Sequence, residues 1–159
     1  MIKPYILLLG LACTVFSSAR SGEPPKTFQA EDVFELEYAN DPRISPDGKY
    51  IVYERRSSDI MTDSMRSNIW IIKSDGTQNR PLVSGNTHAA TLRWSPTADR
   101  LVYLQTAKDG TEIIVRWMDT GQTARIVKLS IRPSSITWSP DGYWLAFPMP
   151  VKAESDPLA

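Results

Sequence analysis

The chain has 159 residues, with 18 Lys and Arg against 18 Asp and Glu, so its formal net charge is zero. With no basic stripe and no acidic tail, nothing in it calls for nucleic acid or a strongly basic partner. The length fits one globular domain, and a lone cysteine, Cys13, excludes an internal disulfide.

Residues 1–19 read as a secretory signal peptide. Lys3 supplies a positive charge, Tyr5 to Phe16 is almost wholly apolar, and Ser17 to Ala19 offers small residues at a cleavage site. The alternative is an uncleaved anchor, but the apolar run is about a dozen residues where a spanning helix needs ~20. "GLAC" has glycine where a lipidation site usually wants leucine, and apolar residues follow Cys13. Cleavage after Ala19 would leave a mature chain with no cysteine and no stable membrane insertion. The expected location is periplasmic or secreted.

Residues 20–40 form a linker and a short helix. Arg20 to Lys26 is polar and carries Pro24-Pro25; Ala30 to Tyr38 sets Val33, Phe34 and Leu36 among acids. That pattern predicts a short amphipathic helix, with Glu31 and Asp32 near its positive end.

From Asp41 the pattern is one of strands. "RISPDGKYIVY", "LRWSPTADRLVY" and "ITWSPDGYWLAF" align without gaps on Ser45, Ser95 and Ser139, which lie 50 and 44 residues apart. Pro46 and Pro140 suit the second position of a type I turn. Gly48 and Gly142 can take the left-handed conformation that follows it in a bulged hairpin loop. Each copy is therefore a strand, a tight turn and a second strand. In the middle copy Ala98 stands where its siblings have glycine, and keeping the turn forces alanine left-handed.

The second strands, "YIVYE", "RLVYL" and "WLAF", are unbroken apolar runs suited to burial on both faces. Between copies, Asn68 to Val83 and Ile113 to Val127 each read as a strand, a Gly-containing turn and a weaker strand. Four antiparallel strands every ~40–50 residues mark a β-propeller blade. The expected fold is all-β: residues 41–159 form a partial propeller of about two and a half TolB-like or WD-repeat-like blades. A β-sandwich is the other architecture built from many short strands, but it does not demand near-identical hairpins at regular spacing.

Candidate chemistry is sparse. No Gly-x-Ser-x-Gly nucleophile elbow occurs. His88 is the single histidine and lies in the polar stretch "SGNTHAAT", which predicts a surface loop rather than a triad base. No metal-ligand spacing is present. Trp70, Trp94, Trp117, Trp138 and Trp144 fall in strand patterns, which favours packing between blades over a ligand platform. Arg55 to Ser67 reads as a long polar loop, either a solvated insertion or part of the propeller mouth. No catalytic, cofactor-binding or metal-binding residue is assigned, and no cofactor is expected.

The order "AEDVFEL…DPRISPDGKYIVYE…NIWIIKSDGTQNRPLVSG…LRWSPTADRLVYL…VRWMDTG…ITWSPDGYWLAFPM" resembles the start of bacterial prolyl oligopeptidase family serine peptidases, nearest the acylaminoacyl-peptidase and dipeptidyl-peptidase-like branches. The resemblance covers about Phe28 to Val151. It implies a propeller that gates peptide access to a C-terminal α/β-hydrolase domain bearing the catalytic serine, aspartate and histidine. The text stops after the first hairpin of the third unit, so the expectation is a fragment that lacks the catalytic domain, is inactive alone and is prone to associate through open edges. The Ser-Pro-Asp-Gly hairpin is shared with TolB-type propellers, so a non-enzymatic TolB-like propeller binding a periplasmic protein is the alternative.

Overall fold

The computed structural model describes residues 27–150. The signal-peptide segment, Cys13, the Pro24-Pro25 linker and the last nine residues lie outside them. Among the described residues no helix is long and apolar enough to cross a membrane.

The chain is all-β. Strands β1 (Glu37–Ile44), β2 (Tyr50–Asp59), β3 (Ser64–Lys73) and β4 (Arg80–Val83) form one antiparallel sheet in chain order. Strands β5 (Ala89–Trp94), β6 (Arg100–Ala107), β7 (Gly110–Trp117) and β8 (Thr123–Leu129) form a second in the same order. Strands β9 (Thr137–Trp138) and β10 (Leu145–Ala146) make a third hairpin. The recurring phrase is the first hairpin of each sheet, and each full sheet is a blade.

The three turns share one hydrogen-bond plan. Gly48, Ala98 and Gly142 donate to the carbonyls of Ser45, Ser95 and Ser139 at 2.8, 3.0 and 2.9 Å. The serine Oγ atoms accept from the backbone amides of Tyr50, Arg100 and Trp144 at 3.0, 3.0 and 2.9 Å. Each Oγ in turn donates to an aspartate: Asp47, Asp99 or Asp141. The aspartates are thus clamps for the turn. Hydrogen bonds from Ser45 and Ser139 hold Asp47 and Asp141 below the usual carboxylate range.

Ala98 has φ +60°, against +72° and +73° for Gly48 and Gly142. The turn is kept at the cost of a left-handed alanine. Ala98→Gly should therefore raise stability by up to about 1 kcal/mol, since glycine adopts this conformation freely although it is more flexible when unfolded. Thermal melts check this; an unchanged or lower midpoint would contradict it.

The middle turn also moves its acid. Asp99 lies two places later than Asp47 does in its own turn, and it gathers Ser95 Oγ and Thr97 Oγ1, both at 2.6 Å, with Arg100 Nε at 3.2 Å. Burial pushes the carboxyl up, but these three donors outweigh it and bring the pKa down to about 2. A depressed carboxylate stabilises the fold above its unfolded pKa of about 4, and the contribution is lost as pH falls towards 2. Asp99→Asn should flatten the fall in stability across that window. The effect is small because the Asp99 side chain is 53% exposed. Urea midpoints at pH 2, 4 and 7 for both proteins measure it.

Burial shows how the blades stack. In β6, Leu101, Val102, Tyr103 and Leu104 are all 3% exposed or less, so both faces of blade 2 are covered. One face meets Val52, Ile69 and Ile71 of blade 1; the other meets Ile136, Leu145 and Phe147 of the third hairpin. Blade 1 is buried on one face: Val52 is fully buried, while Ile44 is 67% exposed.

Three segments differ from the sequence expectation. The helix is a short 3-10 turn, Ala30–Glu35, closed at its start by Gln29 N donating to Asp32 Oδ2 at 2.8 Å. Strand pairing then takes over: β1 begins at Glu37, opposite Ser57, four residues before Asp41. Arg55 to Ser67 is not a loop. Its ends belong to β2 and β3, whose register runs unbroken from Tyr50 opposite Lys73 to Asp59 opposite Ser64. Polar side chains are compatible with strands here because a hairpin end tolerates them wherever they pair across strands. Arg66 pairs with Asp59, which also caps the turn by accepting from Met61 N at 3.0 Å.

Candidate functional site

The polar groups of the fold gather at the seam between blades 1 and 2, where two β-bulges face each other. The β1 bulge falls between Asn40 and Arg43, and that of β5 between Ala90 and Arg93. Asp41 (φ +46°) and Thr91 (φ +63°) are left-handed there, 50 residues apart, at the same step as the turns. A β-branched residue is disfavoured in this conformation. It persists because a bulge frees amides from the ladder and blade 1 supplies acceptors for them. Thr91 N donates to Glu54 Oε1 at 2.8 Å, and Leu92 N to Asp41 Oδ2 at 3.3 Å.

Glu54 is 2% exposed. Its other oxygen accepts from Asn40 Nδ2 at 2.8 Å and Arg56 Nη2 at 2.7 Å. Asp41 pairs with Arg43 and, at 3.3 Å, with Arg93 Nη1. Each carboxylate is thus neutralised and joins two blades. A buried acid with this many donors is a structural clamp rather than a proton shuttle.

At the rim of this cluster Arg132 Nη2 lies 3.3 Å from Thr91 Oγ1. His88 is half-buried, not on the surface as its polar neighbours suggested, because it forms a parallel bridge with Ser67 and its carbonyl accepts from Thr106 N at 2.9 Å. Desolvation, then Arg132 and Arg56, lower its pKa against the opposing pull of Glu54. Its Nδ1 is buried with no hydrogen-bond partner among the described residues, so no carboxylate orients the ring there as a triad base requires. Among the described residues no three His, Cys, Asp or Glu side chains gather to hold a metal ion.

The tryptophans divide into two groups. Trp94 Nε1 donates to the Arg43 carbonyl at 3.0 Å, and Trp138 Nε1 to the Arg93 carbonyl at 3.1 Å. These bonds are one stitch used twice, each tying a blade to its predecessor. The tryptophan before Ser-Pro was the signal for it, and Ile44 holds that place in blade 1. Trp70 lies under Arg55, whose guanidinium carbon is 4.3 Å from the ring centroid. Trp117 is 37% exposed, and Trp144 is 73% exposed rather than packed. The counterparts of Trp144, Tyr50 and Arg100, are each paired to a third strand, opposite Lys73 and Trp117. No described strand pairs with the outer edge of β10.

No protein-family model matches the chain. Over 118 residues it is 26% identical to the uncharacterized peptidase YuxL of Bacillus subtilis, covering 74% of this chain and 18% of that protein. Over 113 residues it is 21% identical to dipeptidyl-peptidase 5 of Porphyromonas endodontalis, covering 71% and 16%. Among solved structures, the β-propeller domain of the trilobed protease from Pyrococcus furiosus superposes with a TM-score of 0.60 at 19% identity, over 71% of this chain and 34% of that one. The match is to the propeller portion of prolyl oligopeptidase family peptidases. The chain spans less than a fifth of the length of the curated relatives it matches. The carboxylate clamps and tryptophan stitches are then what hold successive propeller blades together.

Proposed function

We propose that these blades belong to the propeller of an exported prolyl oligopeptidase family serine peptidase, where they restrict which peptides reach a catalytic α/β-hydrolase domain. The observation that carries this is the sequence likeness to two peptidases over more than two thirds of the chain. Support comes from the stacked blades and their bulged first strands, a scaffold suited to walling a cavity. On this reading the chemistry belongs to another domain of the parent protein. Export rests on the pattern of residues 1–19.

Antibodies against residues 27–150 would test both halves. The protein captured from native cells should be labelled by a fluorophosphonate probe and should cleave short peptides in preference to folded proteins. The 159-residue chain alone should turn over no chromogenic dipeptide. A captured protein that resists the probe would overturn the peptidase reading in favour of a binding propeller. N-terminal sequencing of periplasmic material should begin at Arg20; Met1 retained in membranes would mean an anchor.

A further inference from the structure

The backbone of His88 touches both full blades. It forms a parallel bridge with Ser67 of β3 in blade 1, and its carbonyl accepts from Thr106 N of β6 in blade 2 at 2.9 Å. The next residue continues the tie. The Ala89 carbonyl accepts from Ser67 Oγ at 2.8 Å, and both residues are fully buried. Any displacement of His88 is therefore felt on both sides of the seam.

The ring is less well served than the backbone. Nδ1 is buried without a hydrogen-bond partner among the described residues. Because it is already covered, a group elsewhere in a longer chain could reach it only by displacing one of these neighbours. A neutral imidazole can leave that nitrogen as a bare lone pair, whereas an imidazolium must carry N–H on both nitrogens. Acid would thus create a buried donor with no acceptor, and in a charged group. The charges that act on the ring are Arg56 and Glu54 of β2 and Arg132 of the segment between β8 and β9; β3 and β6 bring the uncharged Ser67 and Thr106. Glu54 is the one acid among them, and its oxygens already accept from Thr91 N, Asn40 Nδ2 and Arg56 Nη2. Burial first, and then the two arginines, push the ring's pKa below its ordinary value.

We propose that His88 is an acid-sensitive latch on the seam between blades 1 and 2. With the ring neutral, the bridge to Ser67 and the bond from Thr106 stay closed. A proton taken up at Nδ1 is better accommodated where that nitrogen meets water, so acid favours a state in which residues 86–89 have swung out and the seam is loosened. The closed state binds the proton more weakly than the open one. Closure is therefore at full strength above the ordinary histidine pKa of about 6.5 and is lost progressively as pH falls below it. The latch lies between two complete blades and does not depend on the peptidase reading.

His88 is the single histidine, so its ring can be followed without assignment in a full chain carrying isotope-labelled histidine and no histidine tag. Its nuclear magnetic resonance signal should titrate with a midpoint below about 6.5. Hydrogen exchange over β6, corrected for the intrinsic effect of pH, should report a seam-opening constant that rises between pH 7.5 and 5.5. The rise should be roughly three- to tenfold, the ceiling being set by an open-state pKa of about 6.5. His88→Gln cannot take up the proton and should remove that rise, while the turn at Gly76 exchanges alike in both proteins. A ring that titrates at or above about 6.5, an opening constant indifferent to pH, or an equal rise in His88→Gln would each overturn the proposal. Should the variant fold poorly, the ring titration and the exchange of the unaltered chain decide it.

Discussion

Replacing Glu54 with leucine should cost the fold about 2–3 kcal/mol, the range for removing a buried charged acceptor from donors such as Arg56, whose own side chain is 32% exposed. The substitution leaves the Arg56 guanidinium and the Thr91 amide without their acceptor in a region where Glu54 itself is 2% exposed. It also removes what makes a left-handed Thr91 tolerable. Glu54→Gln keeps an oxygen for the amide and should lose roughly half as much. Adding Arg56→Leu to Glu54→Leu should recover part of the loss, because the stranded charge is then gone. Urea unfolding of the four proteins measures all of this. A loss below about 1 kcal/mol for Glu54→Leu would mean that the clamp does not hold the seam.

Gly110→Ala should be about as damaging, at roughly 2–5 kcal/mol from overpacking and backbone strain together. Gly110 has φ +136°, and a Cβ there would stand 2.2 Å from the Leu129 carbonyl oxygen. Backbone in the β7–β8 pair cannot move aside without breaking the ladder from Thr111 opposite Leu129 to Arg116 opposite Thr123. Gly121→Ala is the control. Its φ is +72°, and its new Cβ would meet only the Arg116 guanidinium at 3.0 Å, which can swing away. That change should cost about 1 kcal/mol. Equal losses at the two positions, read from thermal melts, would contradict the close approach at Gly110.

Much of the blade was legible because it is local. Serine, proline and glycine at fixed offsets demand one turn, and Ala98 in the glycine position was forced to φ +60° by the same logic. The seam was not legible. Glu54 reads in the sequence as the polar end of a strand, and its counterpart in blade 2 is Leu104, fully buried. Nothing local says that one seam is stitched by a carboxylate and the next by leucine. The Arg55 to Ser67 segment failed for a related reason: polarity suggested a loop, whereas cross-strand pairing decided for an extended hairpin.

The sequence by itself determined the repeat, the three hairpins, their left-handed turn residues and the four-strand blade. Those follow from steric limits on a few adjacent dihedrals and from side-chain alternation, which act within about ten residues. Tertiary structure decided which faces are covered. The apolar runs of β2 and β6 look alike in sequence, yet β6 is buried on both faces and β2 mainly on one. It also decided that Trp94 and Trp138 bond to the preceding blade while Trp144 faces solvent. Burial and these bonds depend on what lies 45 to 51 residues away, and no local pattern records that distance.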